Sequence, residues 1–358
     1  MSDALPPGAV IGILGGGQLG RMLSVAAARL GLRCHIYDPA PNPPAGQVAE
    51  RVTTAAWDDR QALMAFAASV DVVTYEFENV PTASLDTIEA IRPIRPGRRA
   101  LAVSQDRIAE KDFLTSLGLV TAPYHRVTTR DDLTRALAEI GSPAILKTTR
   151  LGYDGKGQAR IRNPEEADQA FIVMAGAEAV LEGFVSFSRE VSVIAARGLD
   201  GSVAAYDPGE NVHRDGILHT TRVPATLNSA QRSDAVLIAA RILNALDYVG
   251  VMGVELFVTE AGLLVNEIAP RVHNSGHWTQ NGCVVDQFEQ HIRAVAGWPL
   301  GDGHRIADVE MENLIGDDVL RLPDLSRQAN TALHLYGKSE ARPGRKMGHV
   351  NRIIPAGR

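Results

Sequence analysis

Apolar strands alternate with amphipathic helices over the first hundred residues. Residues 9–14 are predicted to form an apolar strand. A glycine cluster follows it, and then an Ala- and Leu-rich helix that ends near Leu30. Further strands are predicted at Arg33 to Tyr37 and at Asp71 to Tyr75. This β-α-β-α-β order predicts a parallel sheet with right-handed crossovers. Ligands bind beyond the carboxyl ends of such strands. The residues at those ends are Gly15 to Gly17, Asp38 and Glu76 to Asn79.

The hydrophobic pattern changes after a Pro- and Arg-rich boundary at residues 92–99. A helix is predicted to begin at an N-cap Ser104 and to end near Gly118. Beyond about residue 121 the chain has an α+β character. The elements predicted there are strands at 144–147, 180–185 and 190–195, a helix at 229–246, and a hairpin of strands 251–258 and 263–269. A last unit of short strands follows Pro299.

Composition narrows the class of protein. Lys and Arg number 36 against 42 Asp and Glu, so the formal net charge is −6 and a basic field for nucleic acid is absent. No apolar run reaches the ~18 residues of a membrane span, and the first residues lack the pattern of a secretory signal. Two cysteines, Cys34 and Cys283, fit a reducing compartment. We therefore expect a cytoplasmic protein without nucleic-acid or membrane partners.

The glycine cluster supports more than one interpretation. Gly15-x-Gly17-x-x-Gly20 follows a strand, opens a helix and has Asp38 about 20 residues on, as in the dinucleotide fingerprint. Its bare N–H groups at a helix N-terminus suit any phosphate. An NAD site, a site for another phosphate and a turn needed only for packing all stay open. Features downstream point away from NAD.

A second glycine-rich segment, Gly152 to Gln158, follows the strand that ends at Lys147. Its three glycines and Lys156 suit a flap over a triphosphate, although it is not a Walker A loop; a hairpin with a solvated lysine is the alternative. The next strand leads into the segment from Glu182 to Val185, and the backbone groups of this segment could contact an adenine edge. Glu190 interrupts an apolar strand and needs a partner, for which Arg189 is the simplest candidate.

Two acids in one hairpin carry the strongest local signal. Glu255 and Glu267 each interrupt an apolar strand, and a bulged turn at Gly262 would place them opposite each other. Facing carboxylates repel unless a cation lies between them, and oxygen ligands suit Mg²⁺ shared with phosphate. The alternative is a pair of solvent-facing acids. The following loop, Arg271 to His277, suits a small anion, or less readily zinc on its two histidines.

Together these segments resemble the ATP-grasp superfamily and, within it, the N5-carboxyaminoimidazole ribonucleotide synthase family. The resemblance runs from about residue 9 to residue 354, with Val272 standing where the family usually has Pro. The motifs that carry it are Gly15-Gly-Gly-Gln-Leu-Gly20, Tyr75-Glu-Phe-Glu-Asn-Val80, Tyr153-Asp-Gly-Lys-Gly-Gln158, His273-Asn-Ser-Gly-His277 and Arg342-Pro-Gly-Arg-Lys-Met-Gly-His349.

The resemblance implies an ATP-grasp fold with a Rossmann-like pre-ATP-grasp domain (1–101), an ATP-grasp domain (102–300, its flap-bearing subdomain at about 121–190) and a small C-terminal β-rich domain (301–358). It implies a homodimer that converts ATP, bicarbonate and 5-aminoimidazole ribonucleotide to the N5-carboxyamino product, ADP and phosphate. Bicarbonate is a poor electrophile, and its phosphorylation to carboxyphosphate creates a leaving group. A closing flap would protect that labile intermediate from water.

The resemblance also implies a role for individual residues. The predicted nucleotide contacts are Arg107, Lys147, Gly152, Tyr153, Asp154, Gly155, Lys156, Gly157, Gln158, Glu182, Gly183, Phe184, Val185, Glu190, His213, Asn266 and Glu267. The predicted Mg²⁺ ligands are Glu255 and Glu267. The predicted catalytic residues are Tyr153, Asp154, Arg271 and His273, with Asp154 accepting the amine proton. The predicted ribonucleotide contacts are Gln18, Leu19, Glu76, Asn274, Ser275, Lys338 and Arg345.

Charge at the C-terminal end agrees with an anionic substrate. Tyr336 to Arg358 holds six basic residues and one acid, although a solvated basic tail is the alternative. Three competing functions are a formate-dependent glycinamide ribonucleotide transformylase on the same frame, an NAD-dependent oxidoreductase, and a nucleotide sensor without activity. The oxidoreductase leaves the Glu255 and Glu267 pair unexplained. The sensor requires a lost metal ligand or flap, and neither is lost in the sequence.

Overall fold

A computed structural model describes residues 4–150, 152 and 157–354. Over these residues the chain forms three β-sheets with helices packed against them. The helices in this part of the chain all lack the length and apolar character that a bilayer crossing requires.

The first sheet is parallel, as the sequence predicts. Its strands lie in the order β3-β2-β1-β4. β1 is buried from its second residue onward because helices cover it. The elements of this part are β1 (Val10–Leu14), α1 (Gln18–Arg29), β2 (Arg33–Tyr37), β3 (Arg51–Thr53), α2 (Arg60–Ala68), β4 (Val72–Tyr75), α3 (Thr82–Glu89) and α4 (Arg98–Ser104).

The predicted start of the helix at Ser104 is wrong, because two helices meet there, whereas its end near Gly118 agrees with Ser116. Ser104 ends α4, and α5 (Arg107–Ser116) begins after Asp106. The Asp106 carboxylate accepts hydrogen bonds from the N–H groups of Ile108 and Ala109 at 3.0 and 3.2 Å. An aspartate in this position satisfies first-turn donors that otherwise lack partners. Arg107 is therefore the first residue of α5.

The second sheet is antiparallel, with strand order β5-β8-β6-β7. Helices α6 and α7 supply most of the apolar side chains that pack with it. Its elements are β5 (Tyr124–Val127), α6 (Arg130–Ile140), β6 (Ala144–Thr148), β7 (Gln158–Ile161), α7 (Ala167–Val173) and β8 (Ala179–Gly183).

Within the described residues, the third sheet has nine strands, the last of which ends at Ile354. Its order is β14-β13-β9-β11-β12-β15-β17-β16, with β10 beside β9. The elements are β9 (Arg189–Arg197), β10 (Val203–Ala205), β11 (Gly209–Arg214), β12 (Ile217–Val223), α8 (Ser229–Ala245), β13 (Gly250–Thr259), β14 (Gly262–Ala269), α9 (Thr279–Gly282), α10 (Gln287–Val295), β15 (Asp308–Ile315), α11 (Leu322–Leu325), β16 (Thr331–Leu335) and β17 (Lys346–Ile354).

The C-terminal strands extend this sheet, because β15 pairs with β12. One hydrophobic cluster contains side chains from β1, α1, β9, α10 and β15. The first and third sheets therefore share a core through α1 and α10. The domain boundaries near residues 101 and 300 stay predictions.

His291 on α10 lies fully buried between these two sheets. Its Nδ1 accepts a hydrogen bond from the Val251 N–H at 3.0 Å, and its Nε2 lies 2.8 Å from Thr74 Oγ1. Burial lowers the pKa of His291 to about 3. Protonation therefore favours the unfolded chain, in which the pKa stays near 6.5. The stability that neutral His291 contributes is complete above that pH and is lost as the pH falls toward 3.

We expect this loss in the wild type but not in the variant His291→Gln, whose side chain does not titrate. The difference in unfolding free energy between the wild type and the variant should shrink by about 1.4 kcal/mol between pH 7.5 and pH 5.5. Urea denaturation at the two pH values measures it. A difference that stays constant with pH would contradict this account.

Candidate active site

A cavity of about 710 Å³ opens where the three sheets meet. It is lined by the β4–α3 loop, the start of α5, the end of β6, and the strands β13 and β14 with the loop that follows them. Fifteen predicted site residues line it: Gln18, Leu19, Glu76, Arg107, Lys147, Gly152, Gln158, Glu190, His213, Glu255, Asn266, Glu267, Arg271, His273 and Asn274.

Eight other predicted residues have described positions away from that lining: Gly157, Glu182, Gly183, Phe184, Val185, Ser275, Lys338 and Arg345. Tyr153, Asp154, Gly155 and Lys156 lie outside the described residues, so their roles stay predictions.

Gly157 itself has φ +69°, and a Cβ there would lie 2.6 Å from Thr148 Oγ1. This turn next to the flap therefore requires glycine.

The hairpin of β13 and β14 places its two acids directly opposite each other. Glu255 pairs with Glu267, whereas the next residue, Leu256, pairs with Val265. Asn266 is therefore the extra residue of a β-bulge. The predicted bulge at the Gly262 turn is wrong, because Thr259 pairs with Gly262 across a regular two-residue turn. The bulge lies beside the acids, and it brings them to one face.

Burial and the closeness of the two carboxylates disfavour the ionised form of Glu255. Burial, and then the Glu267 carboxylate, raise the pKa of Glu255 to about 7. His273 Nε2 lies 3.5 Å from Glu255 Oε1, and Arg107 Nη1 lies 3.1 Å from Glu267 Oε2. Two hard oxygen donors that face each other fit a divalent cation such as Mg²⁺ that takes its remaining ligands from phosphate. Among residues 4–150, 152 and 157–354, no three potential ligand side chains converge as a metal cage.

Two lysines share one buried acid at the α5 and β6 side of the cavity. Lys147 Nζ donates to Glu182 Oε2 at 2.8 Å, and Lys111 Nζ lies 3.3 Å from Glu182 Oε1. Glu182 is only 5% exposed. Burial would raise the pKa of Glu182, but the two lysines outweigh it and lower the pKa. In this structure the carboxylate holds Lys147 in place from behind the cavity wall.

Backbone groups of the predicted adenine linker already have partners in this structure. The Gly183 N–H donates to the Pro123 carbonyl at 2.9 Å, and the Phe184 N–H donates to the Pro143 carbonyl at 3.1 Å. At the cavity itself, His213 Nδ1 lies 2.5 Å from Glu190 Oε2. Burial opposes protonation of His213, but Glu190 raises its pKa. The close partner of Glu190 is thus His213, whereas Arg189, the simplest candidate from the sequence, lies 3.6 Å from Glu210 instead.

The loop after β14 presents a cation and a neutral imidazole to the cavity. Arg271 is paired with Glu78 of the β4–α3 loop. Burial, with Arg271 adding to it, lowers the pKa of His273 to about 3, so this imidazole is neutral. Its Nδ1 lies 2.8 Å from Ser275 Oγ, which is buried and accepts a hydrogen bond from Ser192 Oγ at 2.7 Å. Ser275 therefore orients His273 from outside the cavity.

The amides of the glycine cluster are largely occupied by the chain's own carboxylates. Asp38 accepts a hydrogen bond from the Gly16 N–H at 2.6 Å. Its carboxylate therefore binds the glycine loop, whereas in a dinucleotide site the acid in this position binds a ribose hydroxyl. Glu76 accepts hydrogen bonds from the N–H groups of Gly17 and, at 2.6 Å, of Gly20. Burial raises the pKa of Glu76, and these two N–H groups oppose the rise.

Of the basic residues Lys338, Arg345 and Lys346 in the C-terminal segment, one lines the cavity and two do not. Lys346, which sequence reasoning missed, lines it. Lys338 Nζ donates to the Lys346 carbonyl at 2.7 Å, whereas Arg345 Nη1 donates to the Glu340 carbonyl at 2.9 Å.

Glu78 also lines the cavity and lies in the predicted strand-end segment Glu76 to Asn79, although no role is predicted for it. Among the charged residues at the cavity, Glu110 in the lining and Lys111 behind it also escaped the sequence analysis. A signal for the last two existed, because charged residues recur along one face of α5 at Arg107, Glu110 and Lys111.

Three family models match consecutive parts of the chain. They are the ribonucleotide synthetase preATP-grasp domain (residues 9–105), the ATP-grasp domain (112–288) and the phosphoribosylaminoimidazole carboxylase C-terminal domain (310–355). The N5-carboxyaminoimidazole ribonucleotide synthase of Brucella melitensis is 55% identical over 98% of each chain.

Solved structures resemble the whole fold. An ADP complex of N5-carboxyaminoimidazole ribonucleotide synthetase has a TM-score of 0.96 and 41% identity, covering 99% of this chain and 95% of that one. The Aspergillus clavatus N5-carboxyaminoimidazole synthase, in complex with ADP and 5-aminoimidazole ribonucleotide, has a TM-score of 0.92 and 31% identity, covering 98% of this chain and 94% of that one.

Proposed function

This chain belongs to the N5-carboxyaminoimidazole ribonucleotide synthase family of ATP-grasp ligases, and from this we propose how its cavity carries out the reaction. The protein is an ATP-dependent ligase that carboxylates 5-aminoimidazole ribonucleotide in purine biosynthesis. The observation that carries the proposal is a shared cavity. It is lined by the facing acids Glu255 and Glu267, by the cationic Arg271, and by Glu76, which accepts hydrogen bonds from the glycine loop.

ATP would bind at the α5 and β6 side of the cavity. Arg107 and Lys147 would contact its phosphates, the segment from Glu182 to Val185 its adenine, and Glu190 with His213 its ribose. Glu255 and Glu267, with Asn266 beside them, would hold Mg²⁺, which when bound neutralises charge on the transferring phosphoryl group. The position of Glu255 directly opposite Glu267 in the hairpin supports this assignment.

Bicarbonate would bind at Arg271 and His273, next to the γ-phosphoryl group. An oxygen of bicarbonate attacks that group, ADP leaves, and carboxyphosphate forms. The ribonucleotide amine then forms a bond to the carboxyl carbon of carboxyphosphate, or of the CO₂ it releases, and phosphate leaves. Because His273 is neutral, the positive charge that holds these anions comes from Arg271.

The ribonucleotide would lie against the first sheet. Glu76, Tyr153 and Asp154 would contact the aminoimidazole, with Asp154 accepting the proton that the amine loses. The backbone at Gln18 and Leu19 would meet its phosphate together with Lys338 and Arg345, and Asn274 and Ser275 would complete this end. Gln18, Leu19 and Asn274 support this placement by lining the cavity.

A substrate-swap assay tests the proposal. ADP release should require both 5-aminoimidazole ribonucleotide and bicarbonate, and each ADP should accompany one N5-carboxyamino product. Formate with glycinamide ribonucleotide should give no ADP, and NADH absorbance followed in parallel should stay constant. Turnover with formate in place of bicarbonate would favour the transformylase instead.

We further propose a homodimer in a reducing cytoplasm, as the family resemblance implies. Cys34 and Cys283, both free and buried, support the reducing compartment. Light scattering coupled to gel filtration should give twice the mass of one chain.

A further inference from the structure

An ion pair between two distant parts of the chain lies on the cavity wall. Glu78 belongs to the loop between β4 and α3, and Arg271 follows β14, 193 residues later. The Arg271 Nε–H donates to Glu78 Oε2, and both side chains line the cavity. The side chain of Glu78 is only 29% exposed and that of Arg271 only 18%, so water and salt screen the attraction between the two charges weakly.

This contact fixes the orientation of the guanidinium. Nε donates to Glu78, and Nη1 donates to the Val272 carbonyl at 3.3 Å. A planar group held through two of its three nitrogens has little freedom to rotate. Burial would raise the pKa of Glu78, but Arg271 outweighs it and lowers the pKa, so the carboxylate stays ionised.

The same loop is anchored on its other side. Glu76, two residues before Glu78, accepts hydrogen bonds from the N–H groups of Gly17 and Gly20. The short segment from Glu76 to Glu78 therefore connects the glycine loop, where the ribonucleotide is proposed to bind, with the arginine proposed to hold bicarbonate.

We propose that Glu78 is a positioning residue of the reaction, which orients the Arg271 guanidinium so that carboxyphosphate forms next to the ribonucleotide amine. The inference rests on the proposed function, because it takes bicarbonate as the ligand of Arg271. It adds a role for a residue to which the proposed function assigns no contact with ATP or bicarbonate. Its consequence is coupling, since a misoriented Arg271 would let carboxyphosphate decompose to CO₂ and phosphate before the amine captures the carboxyl group.

Three substitutions separate geometry from charge. Glu78→Ala removes the acceptor, and it should raise the KM for bicarbonate about tenfold while the KM for ATP stays within about twofold. Glu78→Asp keeps the charge but withdraws it by one methylene, and it should also raise the KM for bicarbonate. Glu78→Gln keeps an acceptor at the same distance, and it should restore most of the wild-type KM.

The second readout is the ratio of ADP released to carboxylated product. It should be one for the wild type and exceed one for Glu78→Ala and Glu78→Asp. A residue needed only for folding would lower activity without changing this ratio. Thermal unfolding of each variant checks the fold, and Glu78→Asp provides the test if Glu78→Ala does not fold.

Glu50→Ala is the matched control. It removes an ion pair with Arg33 at 3.2 Å in the same part of the chain, where both side chains are more than 40% exposed. Its KM values and product ratio should equal those of the wild type. If Glu78→Asp, and Glu78→Ala where it folds, leave the bicarbonate KM and the ratio unchanged, the inference is overturned while the proposed function stands. If the wild type itself releases no bicarbonate-dependent ADP, the proposed function fails first.

Discussion

Replacing Glu267 with Gln is expected to lower turnover by about a thousandfold or more without unfolding the protein. Glu267 faces Glu255 across the hairpin and is one of only two carboxylates proposed to hold Mg²⁺. The amide keeps the shape of the side chain but loses its charge, and stabilisation of transferring phosphoryl charge is worth several kcal/mol. Steady-state ADP release measures turnover, and calorimetry of ADP binding with and without Mg²⁺ measures the cause.

In that calorimetry, the wild type should bind ADP more tightly when Mg²⁺ is present, and Glu267→Gln should lose this gain. Glu260→Gln is the matched control, because Glu260 lies exposed in the two-residue turn of the same hairpin. It should behave as the wild type does. Near-normal turnover of Glu267→Gln would remove the metal assignment.

Replacing Glu182 with Gln is expected to destabilise the fold by about 3–5 kcal/mol, because removing one partner of a buried ion pair leaves uncompensated charge. Here two lysines would lose their shared acid: Lys111, which is 2% exposed, and Lys147. Urea denaturation monitored by circular dichroism gives the free energy of unfolding. The affinity for ATP should fall as well, because Lys147 loses the contact that holds it.

Glu178→Gln is the control for this variant. Glu178 sits next to β8 and pairs with Arg126, but both side chains are more than a third exposed. Its loss should cost less than about 1 kcal/mol. If Glu182→Gln were as stable as the wild type and only lost its preference for ATP over GTP, the Glu182 carboxylate would recognise the base itself and would not serve to hold the two lysines.

The hydrophobic pattern was sufficient for most elements. It predicts the parallel first sheet, the helix that the structure has at Ser229–Ala245 and the hairpin that contains the acids. These elements follow from local periodicity and from caps such as Asn228, whose side chain accepts a hydrogen bond from the Gln231 N–H at 2.9 Å. The start of α5 was misplaced because Ser104 and Asp106 are both good caps, and only the packed chain chooses between them.

The bulge shows why part of the site could not be predicted. The extra residue that brings Glu255 opposite Glu267 can lie at the turn or next to the acids. The order of apolar and polar residues along the hairpin does not distinguish these two positions. Asn266 is chosen in the folded protein, where β14 is an edge strand and its Ile268 N–H donates to the buried Glu110 on α5 at 2.6 Å. That partner is 158 residues away in sequence.

By itself, the sequence determined which chemical groups the protein can use and in which order they follow along the chain. Glycine loops, paired acids and the arginine before His273 are readable there, because each depends on residues close in sequence. Only the tertiary structure decided which groups meet. It paired Arg271 with Glu78, placed two lysines on Glu182 and turned Asp38 toward the glycine loop. Charges buried together must be balanced at short range, and packing between distant segments determines which partner lies within reach.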